Sequence, residues 1–214
     1  MLDLSKTDRS VSDQILHKAK ETKEKIIAKA APLFNKRGYS GTSISDIMRA
    51  TGLKKGGIYN HFDSKDELAL SAFDYAFASL QGLFARTLKN IPDSPSLQLL
   101  SVIRVFSDYA DHPPVAGGCP LLNTAIDSDD AHPALRRRAR RAMDQWRRLI
   151  KGIVLRGIAC HEFHATTDGD KLATIIIGTL EGGLMQSKLY NNAIHMHRAV
   201  EHLTTTIKTE VISS

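Results

Sequence analysis

Cysteine is scarce in this chain. Cys119 and Cys160 are the only two among 214 residues, too few for a disulfide framework. Long apolar runs are missing too. No stretch of 18 uncharged apolar residues occurs, and the first twenty residues, MLDLSKTDRSVSDQILHKAK, hold no apolar segment of the kind a secretory leader needs. A soluble, cytoplasmic chain is the expectation. Catalytic signatures are equally absent: there is no Gly-rich phosphate loop, and no paired carboxylates or Ser/His/Asp set at informative spacing. The run CHEFH at Cys160 to His164 puts a thiol and an imidazole at i, i+4, but a third ligand would have to come from Asp168 or a second chain. Its two histidines are three apart, where a metallohydrolase helix needs them four apart. Neither an enzyme nor a cofactor or metal site is expected.

Hydrophobic residues make up 42% of the chain, enough for a sizeable core. The formal charge of +6 is unevenly spread. Residues 1–62 contain 12 Lys or Arg against 6 Asp or Glu, whereas residues 63–214 contain 17 of each. The whole excess therefore lies in the first 62 residues, as a localised attraction for phosphate would require.

That basic segment ends in SISDIMRATGLKKGGIYNHF, Ser43 to Phe62. Ser43 and Asp46 form the S-x-x-D capping pattern, and Ile44, Ile47 and Met48 form one apolar face. Gly52 suits the left-handed residue that ends a helix at a sharp reversal. The second short helix turns Ile58 and Phe62 inward and leaves Lys54, Lys55, Gly56, Tyr59, Asn60 and His61 for the outer face. The pattern is a helix-turn-helix whose second helix offers cations, hydrogen-bonding groups and a close backbone approach to nucleic acid.

Upstream, residues 1 to about 20 read as a charged arm. Thr22 is expected to cap a helix carrying Ile26, Ile27, Ala30, Leu33 and Phe34 and ending at Gly38, with a bend at Pro32 unless the helix restarts there. The run from FNKRGYSGTSISDIM to GIYNHFDSKDELALSAF closely resembles the N-terminal DNA-binding domain of TetR/AcrR bacterial transcriptional regulators. Phe34, Gly38, Tyr39, Thr42, Ser43, the Ile47 to Gly52 stretch, GIYNHF, Lys65 and Leu68 carry the likeness. The resemblance implies an all-α homodimer that binds a palindromic double-stranded DNA operator as a repressor and is released by a small-molecule effector. It implies that Lys55 begins the reading helix and that Tyr59 and His61 meet phosphates. Further backbone contacts fall to Thr22, Thr42, Ser43 and Lys65, and Asn60 is left as a candidate base reader.

The expected division is residues 1–64, arm and helix-turn-helix domain, and residues 65–214, effector-binding and dimerisation domain. Ser64 and Glu67 form a second capping box, and Phe73, Phe77, Leu80 and Phe84 recur on one face of the helix that follows. IPDSP at Ile91 to Pro95 ends it. Helices follow from about Ser96 to Ala110, at Pro120 to Ile126, from Pro133 to about Ile158, from Asp168 or Asp170, and from about Met196 to Val211. GGCPLLNTA also looks like the C-terminal domain of a TetR/AcrR subset. The arginines at 136, 137, 138, 140 and 141 read as a solvated face balanced by Asp127, Asp129 and Asp130, opposite an inward face that includes Trp146, Leu149 and Leu155. Phe73, Phe77, Phe106, Tyr109, Cys119, Leu122 and Trp146 are expected around one cavity, which favours an apolar or aromatic effector. Cys119, ahead of Pro120, is expected as a small, partly buried residue filling a loop, with an acidic, reactive thiol at a helix N-terminus as the alternative. The apolar, Gly-containing run LATIIIGTLEGGLMQSKLY is expected to pair with its copy through Ile175, Thr179, Gly182, Gly183 and Gln186.

Overall fold

A computed structural model describes residues 4–128 and 132–213. Among the described residues the chain forms nine α-helices: α1 Leu4–Arg37, α2 Ile44–Thr51, α3 Lys55–Tyr59, α4 Lys65–Lys89, α5 Pro95–Asp111, α6 Pro120–Asp127, α7 Pro133–Ala159, α8 Gly169–Tyr190 and α9 Ile194–Thr206. A π-helical turn, Ile207–Val211, continues α9, and Ile212 makes an isolated antiparallel bridge to Phe163.

Local signals account for most boundaries. The Ser43 hydroxyl accepts the Asp46 N–H, and the Asp46 carboxylate accepts the Ser43 N–H at 3.0 Å. Gly52 closes α2 at φ 73°. The Ser64 hydroxyl accepts the Glu67 N–H, but the return bond shifts by one residue, because Glu67 Oε2 takes the N–H of Asp63 at 2.7 Å. Prolines stand in the first turns of α5, α6 and α7, where a missing N–H costs nothing.

Three expectations are overturned. The N-terminal arm is helical from Leu4, so Thr22 is no cap; its hydroxyl donates to the Lys18 carbonyl at 2.8 Å inside a continuous helix. α1 runs through Pro32 as one continuous helix, which leaves out only the alternative of a restart there. Leu155 is 65% exposed rather than inward. Asp129 and Asp130 lie outside the described residues, and Asp127 faces the end of α1 rather than the arginines, accepting the Tyr39 N–H at 2.7 Å.

The interior is divided. Ile26, Ala30, Ile47, Ile58, Phe62 and Leu68 close a small core among α1, α2, α3 and the first turn of α4. A much larger core runs from Phe73 to Val211 through α4–α9. Ala31, Ala72, Ala76 and Val115 join them beneath Phe34. α4 contributes to all three. It is long and apolar enough to cross a bilayer by length and composition alone, yet its apolar face is buried as the shared strut of both cores.

Candidate nucleic-acid interface

The reading surface follows from how α3 is anchored. Ile58 and Phe62, each 1% exposed, fix the helix in the small core. With that face committed, Lys54, Lys55, Gly56, Tyr59 and Asn60 are exposed and His61 is half-buried. The Lys55 ammonium stands 5.8 Å from the centre of the Tyr59 ring, near enough for cation–π attraction to hold the two together. Asn60 ends the helix, its N–H bonded to Gly56 O at 2.9 Å. A Cβ added at Gly56 would meet nothing within 4 Å. The chain's own packing therefore does not require glycine there.

The other expected contacts divide. Ser43 is exposed, its hydroxyl donating to Asp46 Oδ2 at 2.6 Å. These bonds hold the Asp46 carboxyl below the usual carboxylate range, helped by Arg37 and Arg49. Lys65 lies 4.1 Å over the Tyr39 ring. Thr42 has no exposure, and its hydroxyl donates to the Gly38 carbonyl at 2.9 Å. A direct phosphate contact from Thr42 is excluded by this burial; the side chain instead fixes the turn before α2. Thr22 is half-buried on α1.

Residues 26–72 match the family described as bacterial regulatory proteins, tetR family, and residues 95–203 match the tetracyclin repressor-like C-terminal domain. The chain belongs to the TetR family. A TetR transcriptional regulator of Chloroflexus aurantiacus is 46% identical, with a TM-score of 0.89 over 92% of this chain and 100% of that one. The TetR-family regulator of Cytophaga hutchinsonii is 33% identical, with a TM-score of 0.85 over 92% of this chain and 98% of that one. The transcriptional repressor DhaR of a Mycobacterium species is 24% identical over 170 residues, 79% of this chain and 84% of its own. The chain is thus a TetR-family helix-turn-helix transcriptional regulator, a class of DNA-binding proteins and not of enzymes.

In the C-terminal part of this TetR-family chain the expected pocket residues separate. Phe77 and Trp146 line a cavity of about 320 Å³ between α4 and α7, with Leu80, Phe84, Leu88 and Leu149. Gln81 and Gln145, bonded at 2.6 Å, also border it. Phe106 lies behind that wall, stacked on Trp146 at 5.2 Å, and Tyr109 behind Phe106 at 5.7 Å. Phe73 lines a different, narrow cleft among α1, α4 and α6. Leu122 is half-buried against the large core. Helical periodicity reports that a side chain turns inward; which wall it meets depends on the helix opposite.

Cys119 is the N-cap of α6, as expected, and it is buried. The thiol is 1% exposed, and burial, with the Glu181 carboxyl beside it, pushes its pKa well above the ordinary value. Desolvation outweighs the helix terminus, so the buried, space-filling reading of Cys119 stands and the reactive thiolate is withdrawn. The CHEFH run also has a structural use: Glu162 Oε2 accepts the Ser96 N–H at 2.9 Å and the Ser94 hydroxyl at 2.8 Å, capping α5. No cluster of three or more His, Cys, Asp or Glu placed to hold a metal ion occurs among the described residues.

The most important contacts missed from sequence join α1 to α6. Asn123 Nδ2 donates to Asn35 O, Asn35 Oδ1 and Gly117 O, each at 2.9 Å, and Asn35 Nδ2 donates to Gly118 O at 2.9 Å. Lys188 of α8 donates to the same Gly117 carbonyl at 2.8 Å. Only the Asn within GGCPLLNTA hinted at this. On α8, Gly178, Thr179, Gly182, Gly183 and Gln186 line an open groove of about 520 Å³ with His195, Arg198 and Ala199 of α9. Ile175 is 45% exposed and Met185 51%. A Cβ would meet nothing at Gly178 or Gly182, but at Gly183 it would come within 2.8 Å of Ala199 Cβ. Gly183 thus serves the close approach of α9 in its own subunit.

Proposed function

We propose that the protein is a homodimeric repressor that grips a palindromic operator through two copies of α3 and releases it when a small molecule enters the α4–α7 cavity. The observation that carries the reading is the outward face of α3, basic and hydrogen-bonding, on a helix whose other side is fully anchored. Lys54, Lys55, Tyr59 and His61 would meet phosphates, with Ser43 and Lys65 at the margins, and Asn60 would reach a base edge. Residues 1–64 form the DNA-binding unit in this reading, and residues 65–214 the effector and dimer unit. A repressor is favoured because DhaR, similar over most of both chains, is a repressor.

The exposed Ile175 and Met185, with the unobstructed backbone at Gly178 and Gly182, support α8 and α9 as the dimer face, since small residues let a partner helix approach closely. The cavity wall of Phe77, Phe84 and Trp146 favours an apolar or aromatic effector, with Gln81 and Gln145 available to one polar group. Such a ligand would have to prefer the spacing of reading helices that does not fit DNA. Selection of bound duplexes from a random pool tests the reading. Enrichment of a palindrome, bound by a dimer with affinity falling steeply as salt rises, is the expected result; salt-independent binding without sequence preference would overturn it.

A further inference from the structure

Glu181 is the most anomalous side chain in the C-terminal core. It is 7% exposed on α8, and neither carboxylate oxygen has a hydrogen-bond partner of ordinary geometry. Its polar surroundings contain no cation. From α6 it faces the buried thiol of Cys119, and from α5 the phenol of Tyr109. On α7, the cations toward α8 are Arg147 and Lys151, both paired with Asp170 at the start of α8. On α9, His195 and Arg198 border the surface groove beside Gly182. Lys188, two turns farther along α8, is held by the Gly117 carbonyl. A buried carboxylate with no such compensation holds its proton, because ionisation would put a bare charge in an apolar interior. Burial raises its pKa to about 7, against the weak opposing pull of the Cys119 thiol.

What makes this consequential is where Cys119 sits. It is the N-cap of α6, and α6 attaches to the end of α1 through Asn123 to Asn35 and Asp127 to the Tyr39 N–H, beside the bond from Asn35 to Gly118 O just ahead of Cys119. We infer that Glu181 is a pH-operated catch: as the neutral acid it lets the N-terminus of α6 pack on α8, and on losing its proton it opens that contact to water and loosens the hold of α6 on the DNA-binding unit. Rising pH then weakens operator binding, because a loosely held unit no longer keeps its reading helix at a fixed place. Two conformations of the α6 contact, biased by one proton, suffice. The catch is a property of the C-terminal core, independent of the proposed repressor reading; only its effect on DNA rests on that reading.

The test uses the full-length chain carrying Cys160→Ser, with Glu181 intact or as Glu181→Gln, between pH 5.5 and 8.5. Alkylation of Cys119 by iodoacetamide reports opening of the α6 contact, and the ratio of the two rates at each pH cancels the thiol's intrinsic response to pH. That ratio is expected to rise about tenfold per pH unit from pH 5.5 up to the Glu181 midpoint and to level off above it, since in that window the opened contact has released the proton that the closed contact keeps. A flat ratio, or one falling with pH, overturns the catch. Affinity for the duplex enriched from the random pool is measured in parallel. It is expected to drop severalfold more for the Glu181 chain than for Glu181→Gln from pH 6 to 8, and equal drops overturn the regulatory role. If no duplex is enriched, the DNA-binding reading fails, while the alkylation ratio still decides the catch. Circular dichroism verifies folding, and Glu181→Leu takes the place of Glu181→Gln if the amide does not fold.

Discussion

In the proposed reading the exposed side chains of α3 have different tasks, so substitutions there separate positioning from reading. Lys55→Ala and Tyr59→Phe are expected to weaken binding to every duplex alike, as loss of a phosphate contact does. Asn60→Ala is expected to change preference at one base pair per half-site, by roughly 1–3 kcal/mol; competition binding against single-base variants distinguishes the two patterns. Gly56→Ala makes a sharper prediction. With open space around the added methyl, folding should be unharmed or gain up to about 1 kcal/mol from helix propensity, while operator affinity falls because the methyl holds the DNA backbone away. Melting and binding curves of the same preparation check both halves. The exposed positions of α3 were legible in the sequence because two apolar residues at i, i+4 fix which face turns inward. Thr42 was not: its burial depends on α2 folding over the turn. The place and burial of Cys119 were legible, but its neighbour Glu181 was not, because it lies 62 positions away along the chain.

Helices were legible to within a few residues wherever a cap, a glycine or a proline punctuates them, since those signals act within one turn. Ser43, Gly52, Ser64 and Pro120 all stand where their helices start or stop. α1 was misread because Thr22 has the chemistry of a cap while the helix continues past it in both directions. Contacts between elements carry no such local signal, and the Asn35–Asn123 bonds join positions 88 apart. For α8 the unobstructed Gly182 allows a test of assembly. Gly182→Arg should leave the subunit folded, because nothing in it lies within 4 Å of the new Cβ, yet it would place a long cation between partner helices. Light scattering after size exclusion should then give a monomer with unchanged helicity; a persisting dimer would move the interface elsewhere.

For the molecule as a whole, buried and exposed carboxylates pull stability in opposite directions with pH. Asp46, Asp66, Glu67, Glu162 and Asp170 all have folded-state pKa values below their ordinary ones, so the stability they add is lost as acid protonates them. Glu181 has a folded value of about 7. Between the ordinary carboxylate range and pH 7 the unfolded chain has released this proton while the folded chain keeps it, so stability falls as pH rises and levels off above 7. The full difference is on the order of 3 kcal/mol. Urea titrations at pH 5 and pH 8 should show this decline in the wild-type chain and lose most of it in Glu181→Gln.

The sharing of α4 between the two cores also bears on how the protein folds. The small core has six fully buried members, and one of them, Leu68, belongs to α4, beyond the end of the proposed DNA-binding unit. So few buried side chains cannot outweigh the conformational entropy of ordering some sixty residues. The reading unit therefore borrows its stability from the larger half, and the two melt as one cooperative transition although they look like separate domains. Calorimetry should give a single peak whose van't Hoff and measured enthalpies agree. A fragment ending at residue 64 should be largely unstructured, and one extended through α4 should recover helix only in part, because the far side of α4 would then lack its neighbours.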